Sequence, residues 1–160
     1  MPDLITHVAV SHLIKRPFEL KSAEKSATAF RIIFYFGTVL PDILTRPFYI
    51  LFPAIYNWVI FFHTPAGTIL ASAFVALFFE TTIRKKVFIN LVTGAGLHLF
   101  MDALQKQISG NNFWLFPFSW KDFGFGIAWP GEIMYFIPLW LALVILMEMW
   151  IYFWGKKTNK

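Results

Sequence analysis

Apolar runs of unequal length, separated by short polar breaks, make up most of the chain. Leu4 to Ile14 is apolar but reaches only about half to two-thirds of the way across a bilayer as a helix. Lys15 to Thr28 is polar, and Phe30 to Leu40 is apolar with an expected stop at Pro41-Asp42. Pro47 to Phe62 is apolar again but interrupted by Pro53 and Asn57. Proline removes a backbone donor and breaks a helix unless its surroundings compensate, so this segment is expected to re-enter or to lie in the interface. His63-Thr64-Pro65 reads as a helix start, with Thr64 as N-cap and Pro65 at the first helical position. That helix is expected to run to about Ile83 and to stop at Arg84-Lys85-Lys86. Val87 to Gln105 predicts a further helix, Ser109 to Gly131 an aromatic loop rich in Gly and Pro, and Ile133 to Trp154 the clearest span, with Glu148 as its one charge. The pattern predicts an all-α, small polytopic integral membrane helical bundle. About five apolar helices are expected, one of them half-spanning or re-entrant and two or three spanning fully. A single membrane-embedded domain would occupy residues 1–155, followed by a basic cytoplasmic tail at 156–160.

Composition supports lipid as the solvent. Of 160 residues, 58% are apolar and 14% charged, and the mean hydropathy is +0.59. So short a chain cannot bury that much apolar surface in one water-facing core. The absence of Cys excludes a disulfide scaffold, and the composition excludes disorder and collagen. The opening Met1 to His7 lacks a basic n-region and carries an acid and a His, so no cleaved leader is expected there. The net charge of +5 would suit nucleic acid, but the charges flank apolar runs instead of forming a basic face, and no nucleic-acid partner is expected.

The same charges orient the chain. Lys15–Arg31, Arg84–Lys86 and Lys156–Lys160 together hold eleven of the fourteen Lys and Arg residues, leaving Arg46, Lys106 and Lys121. Placing the larger group in the cytoplasm carries His7, Asp42, His63, His98 and Asp102 to the extracytoplasmic end of their segments. His12 falls toward the opposite, basic end and does not join them.

These five side chains carry the candidate chemistry. Asn90, Gly94, His98 and Asp102 line one helical face at a spacing of four, and Gly94 and Gly96 would let another helix approach closely. An Asp in a span costs roughly 2.5–3.5 kcal/mol at the helix centre, so Asp102 needs a partner. A His and an Asp four apart either bind one metal ion or form a hydrogen bond that pins helices together. Asp3 and His7 repeat the spacing, with Asp3 alternatively a first-turn acid. Asp42 alone reads as a turn residue, and His63 alone as an interfacial His beside a cap. Together, three His and two or three Asp match the nitrogen and oxygen donors of zinc or a similar divalent ion, in one or two copies. Asp102 and Asp3 are the candidate catalytic acids, Asp3 orienting a ligand or acting as a base. No P-loop, dinucleotide fingerprint, G-x-S-x-G or H-E-x-x-H is present. The loop Asn111 to Trp120, continuing through Trp129 to Glu132, is either an interfacial aromatic belt or a lid for an amphiphile, with Arg46, Lys106 or Lys121 meeting an anionic head group.

Several short stretches also resemble a known family. They are the opening Met-Pro-Asp-Leu-Ile-Thr-His, Leu40-Pro41-Asp42, His63-Thr64-Pro65-Ala66-Gly67, His98 to Leu104, and Phe116-Pro117-Phe118-Ser119 before the last span. In order and spacing the chain resembles the YdjM-like family of membrane-bound, metal-dependent hydrolases of bacteria and archaea. The resemblance implies an inner-membrane hydrolase with metal-site positions at His7, Asp42, His63, His98 and Asp102. Many members carry Arg after the middle His, where this chain has Thr64-Pro65.

The reading that joins these threads is a divalent-metal-dependent hydrolase at the extracytoplasmic face of a multi-pass inner-membrane protein. A phosphoester of a lipid or amphiphile is the expected substrate, as for a phospholipase-like enzyme. The alternative is a non-enzymatic membrane protein that binds metal, serves transport or acts as a scaffold.

Overall fold

A computed structural model describes residues 4–20, 26–106 and 113–158. The helices are α1 (Leu4–Leu20), α2 (Ala27–Leu51), α3 (Tyr56–Val59), α4 (Pro65–Ala76), α5 (Thr81–Ala103), α6 (Pro130–Met134) and α7 (Ile137–Thr158). Short 3₁₀ turns at Pro53–Ile55 and Ile60–His63 flank α3. The described residues contain no strand, and one isolated bridge joins Gln105 to Ala128.

Two helices are long and apolar enough to cross a membrane, Ala27–Leu51 and Pro130–Trp154. The pair Pro53–His63 and Pro65–Ala76, bent by 78°, makes a third if it is one broken span. That is fewer than the five apolar helices expected. The reasons are local: α1 carries Lys15, Arg16 and Glu19 in its last turns, α4 has 12 residues, and α5 opens with Arg84-Lys85-Lys86.

Three boundaries differ from expectation. Pro41 does not end a helix, because α2 runs through both Pro41 and Pro47. Each proline leaves one upstream carbonyl without its helical donor, but leaving the helix would expose far more backbone to lipid. Buried Thr45 turns its hydroxyl back onto the Pro41 carbonyl at 2.8 Å, and Thr38 onto that of Phe34 at 3.1 Å. The basic triplet does not end a helix either. The break falls before Thr81, and Arg84 donates to the carbonyls of Phe79 (3.2 Å) and Leu77 (3.4 Å), satisfying the exposed end of α4. Lastly, α7 continues past Trp154 through Lys156 and Lys157 to Thr158.

The tightest contact in the bundle is between α2 and α5. A Cβ on Gly37 would overlap the backbone of Leu91, and a Cβ on Gly94 would overlap the Phe34 carbonyl. The two backbones therefore touch through paired glycines, as small residues allow between membrane helices. Gly96 behaves differently from expectation: it faces open space. Below the glycine contact, Phe30, Ala76, Val87 and Leu91 form the apolar core.

The last helix is attached otherwise. It packs on α1, where Leu141 and Val144 line an apolar groove with Leu4, Ile5 and Val8. Glu148 fastens it there, accepting from Arg16 Nε at 2.7 Å and meeting His12 Nε2 at 2.9 Å. The other nitrogen of His12 meets the Tyr35 hydroxyl at 2.6 Å, so one polar network ties α1, α2 and α7.

Candidate metal centre

Three chain segments are shaped to bring His and Asp together. On α2, continuation past Pro41 places Asp42 on a buried face. Arg46, one turn later, forms an ion pair with it, Nη2 lying 2.7 Å from Asp42 Oδ2. His63 closes a 3₁₀ turn at the 78° bend. The bend is held by Thr64, whose hydroxyl donates to the Phe61 carbonyl (2.7 Å) and accepts from Gly67 N (3.1 Å). The N-cap and Pro65 start expected from the sequence are thus present. Gly67 is required there, since a Cβ would collide with the Phe61 carbonyl. On α5, His98 and Asp102 lie one turn apart and face inward.

Four side-chain atoms from these segments converge. His63 Nε2 lies 3.1 Å from His98 Nε2 and 3.1 Å from Asp102 Oδ2. His98 Nε2 lies 3.4 Å from Asp102 Oδ2. Asp42 Oδ1 is 3.6 Å from both imidazole nitrogens. His7, from α1, completes the cluster with Nε2 at 3.5 Å from Asp102 Oδ1 and its ring centroid 4.4 Å from that of His98. All five residues are buried, none more than 8% exposed.

These spacings bear on two explanations. A hydrogen-bonded pin between helices needs donor–acceptor distances near 2.9 Å; the two 3.1 Å contacts of His63 come close to that, but the 3.6 Å contacts of Asp42 Oδ1 are too long. Metal–ligand bonds of 2.0–2.2 Å give a regular tetrahedron edges of roughly 3.3–3.6 Å. Five of the six separations among His63, His98, Asp42 and Asp102 run from 3.1 to 3.6 Å, two of them just below the tetrahedral range. Asp42 Oδ1 is a buried carboxylate oxygen without a hydrogen-bond partner, which a shared cation would satisfy. The donor set fits a divalent ion: Asp42, His63 and His98 form one group that could hold it, and His7, His98 and Asp102 a second.

Every metal-ligand position expected from the sequence is therefore in the cluster. Asp3 lies outside the described residues, as do Asn111 and Asn112 of the loop. His12 stands apart, as expected, in the network with Tyr35 and Glu148. The residue whose place the sequence reading did not find is Arg46. Its signal was the spacing of four from Asp42, hidden by taking Pro41 as a helix end.

The aromatic loop packs beside the cluster. Phe113 and Trp114 line a small cavity with His63, Pro65 and Leu99. Phe116 contacts both Phe61 and Trp120, with ring centroids 5.6 and 4.7 Å apart. Backbone bonds from Phe125 to Ala103 (2.7 Å) and from Ile127 to Leu104 (2.8 Å) tie the loop to the end of α5. Lys106 lies over the Trp129 ring at 4.8 Å.

Comparison with known proteins gives one result. The family model described as YdjM inner membrane protein matches residues 1–159, and the chain belongs to that family. No curated protein and no solved structure matches it. Family and candidate spans together make it an integral inner-membrane protein.

Proposed function

We propose that this member of the YdjM inner membrane protein family is a zinc-dependent hydrolase of phosphoesters in lipids or amphiphiles. Its metal is held by Asp42, His63, His98 and Asp102, and the site opens at the extracytoplasmic face. The observation that carries the reading is the buried set of four donor atoms, five of whose separations run from 3.1 to 3.6 Å, with Asp42 Oδ1 too far from either imidazole for a hydrogen bond. Two imidazoles in the ligand set favour zinc over magnesium or calcium, which prefer oxygen donors.

A bound divalent ion would supply Lewis acidity toward a phosphoryl oxygen and a water-derived nucleophile at neutral pH. The chain's own residues supply the rest. Arg46 fixes Asp42 by its Oδ2, which turns Oδ1 toward His63 and His98. His7 faces the other oxygen of Asp102 and holds that carboxylate in place. Asp102, between His7 and the other imidazoles, is the proposed proton acceptor, with Asp3 a second base four residues before His7. Phe113 and Trp114 wall the approach to His63 and limit water, while their apolar faces suit an amphiphile arriving from the membrane.

Hydrolysis of bis-p-nitrophenyl phosphate by the full chain in detergent tests this reading. Turnover should vanish with EDTA, return with zinc, and be lost in Asp42→Asn and His98→Ala. A metal-loaded protein that hydrolyses neither this ester nor a phospholipid would leave a metal binder and remove the enzyme.

A further inference from the structure

Between Asp122 and Pro130 large and small residues alternate: Phe123, Phe125, Ile127 and Trp129 are separated by Gly124, Gly126 and Ala128. The small residues lie toward the end of α5. A Cβ on Gly124 would stand 3.5 Å from the Ala103 carbonyl oxygen, and one on Gly126 3.6 Å from Lys106 Cγ. Gly126 has φ +60°, a conformation that suits glycine. Ala128 pairs with Gln105. The four large residues stay outside this contact and are 49% to 71% exposed. Phe123 and Phe125 meet edge to face, with ring centroids 5.1 Å apart, so their rings share one side.

An exposed apolar row of this size marks a surface that meets something other than water. Three observations identify the cover as lipid. The segment runs directly into Pro130–Trp154, which is long and apolar enough to cross a membrane, so the row adjoins a lipid-facing surface. Much of its backbone is already paired. Phe125 N–H donates to the Ala103 carbonyl (2.7 Å) and Ile127 N–H to that of Leu104 (2.8 Å), while the Ala128 carbonyl accepts from Lys106 N (2.9 Å) and the Phe123 carbonyl from Trp114 Nε1 (3.0 Å). These groups can enter a water-poor layer without losing a partner. Charges stand only at the margins of the row: Lys121 and Asp122 precede it, and Lys106 places its ammonium 4.8 Å from the centre of the Trp129 ring. Aromatic rings flanked by basic side chains that reach toward phosphates are the pattern of a membrane interface.

We propose that Phe123, Phe125, Ile127 and Trp129 form an apolar row that inserts into the lipid interface at the His/Asp end of the bundle. The loop is then a fixed part of the membrane-facing surface and not a lid that swings through water. Phe113 and Trp114 of the same loop line the cavity at His63, so the row would hold the approach to the cluster at the level of the lipid head groups. The proposal is independent of the metal centre, and a cluster that holds no ion would leave it standing.

Fluorescence quenching of the full chain in phosphatidylcholine vesicles tests it. The chain has no native Cys, so Phe125→Cys, Ile127→Cys and, as a control, Asp122→Cys each take a single environment-sensitive dye. All three positions are exposed, so the dye displaces no packing. Phe123→Cys, on the same row, replaces either row variant should one lose wild-type helicity by circular dichroism. A nitroxide carried on the lipid acyl chain near the head group should quench the row dyes at least about threefold more strongly than the control dye. Iodide present on both sides of the membrane should give the reverse order. Iodide quenching as strong on the row as at the control would place the row in water and overturn the proposal. Protection of the row from both quenchers would mean a protein contact between copies of the chain and overturn it as well.

Discussion

At Asp42 the two carboxylate oxygens have different surroundings. Oδ2 is taken by Arg46, while Oδ1 faces two imidazole nitrogens at a distance that suits a shared cation better than a hydrogen bond. In the proposed metal site Arg46 therefore orients a ligand without being one. Arg46→Gln is expected to weaken zinc binding by about 10–100-fold, the usual cost of removing a group that positions a ligand. Competition with a chromophoric chelator measures this, and a loss limited to turnover would instead assign Arg46 to the substrate. The spacing of His98 and Asp102 was legible in the sequence, because four residues are one helical turn whatever surrounds them. Asp42 and Arg46 have the same spacing, but they follow a proline, and the local rule for proline concealed that they share a helix.

Among the elements, the pairing of α2 with α5 sets the cluster, since these helices carry Asp42, His98 and Asp102. Gly94→Ala would drive a methyl group into the Phe34 carbonyl, a backbone atom that cannot turn aside. It should destabilise the protein by at least about 1–3 kcal/mol, as overpacking does. Gly96→Ala meets open space and should be neutral or gain up to about 0.5–1 kcal/mol. Thermal unfolding in detergent compares the two, and equal midpoints would contradict the backbone contact. Both glycines looked alike as sequence, because composition does not say which face of α5 meets α2. Helix ends were misplaced for a related reason. Arg84-Lys85-Lys86 looks like a stop, yet Arg84 lies in the first turn of α5 and serves the carbonyls that α4 leaves behind. Glu148 is the long-range case: its partners on α1 are 132 and 136 residues away, and nothing local announces them.

Taken whole, the molecule has two chemically distinct ends. His7, Asp42, His63, His98 and Asp102 gather at one and Lys15, Lys85 and Lys86 at the other, a division the sequence already displayed through its charges. That division predicts sidedness. The chain has no native Cys, so single cysteines report cleanly. An impermeant maleimide should label Phe118→Cys on intact cells and Lys85→Cys only after lysis, both positions being exposed. The reverse pattern would turn the site toward the cytoplasm. The central claim, that the buried His and Asp residues exist to hold an ion, is tested most directly by metal analysis of the purified chain after zinc loading and removal of free metal. One divalent ion per chain is predicted for wild type, lost in Asp42→Asn and His98→Ala variants that keep wild-type helicity. A folded wild-type chain that retains no ion would contradict it.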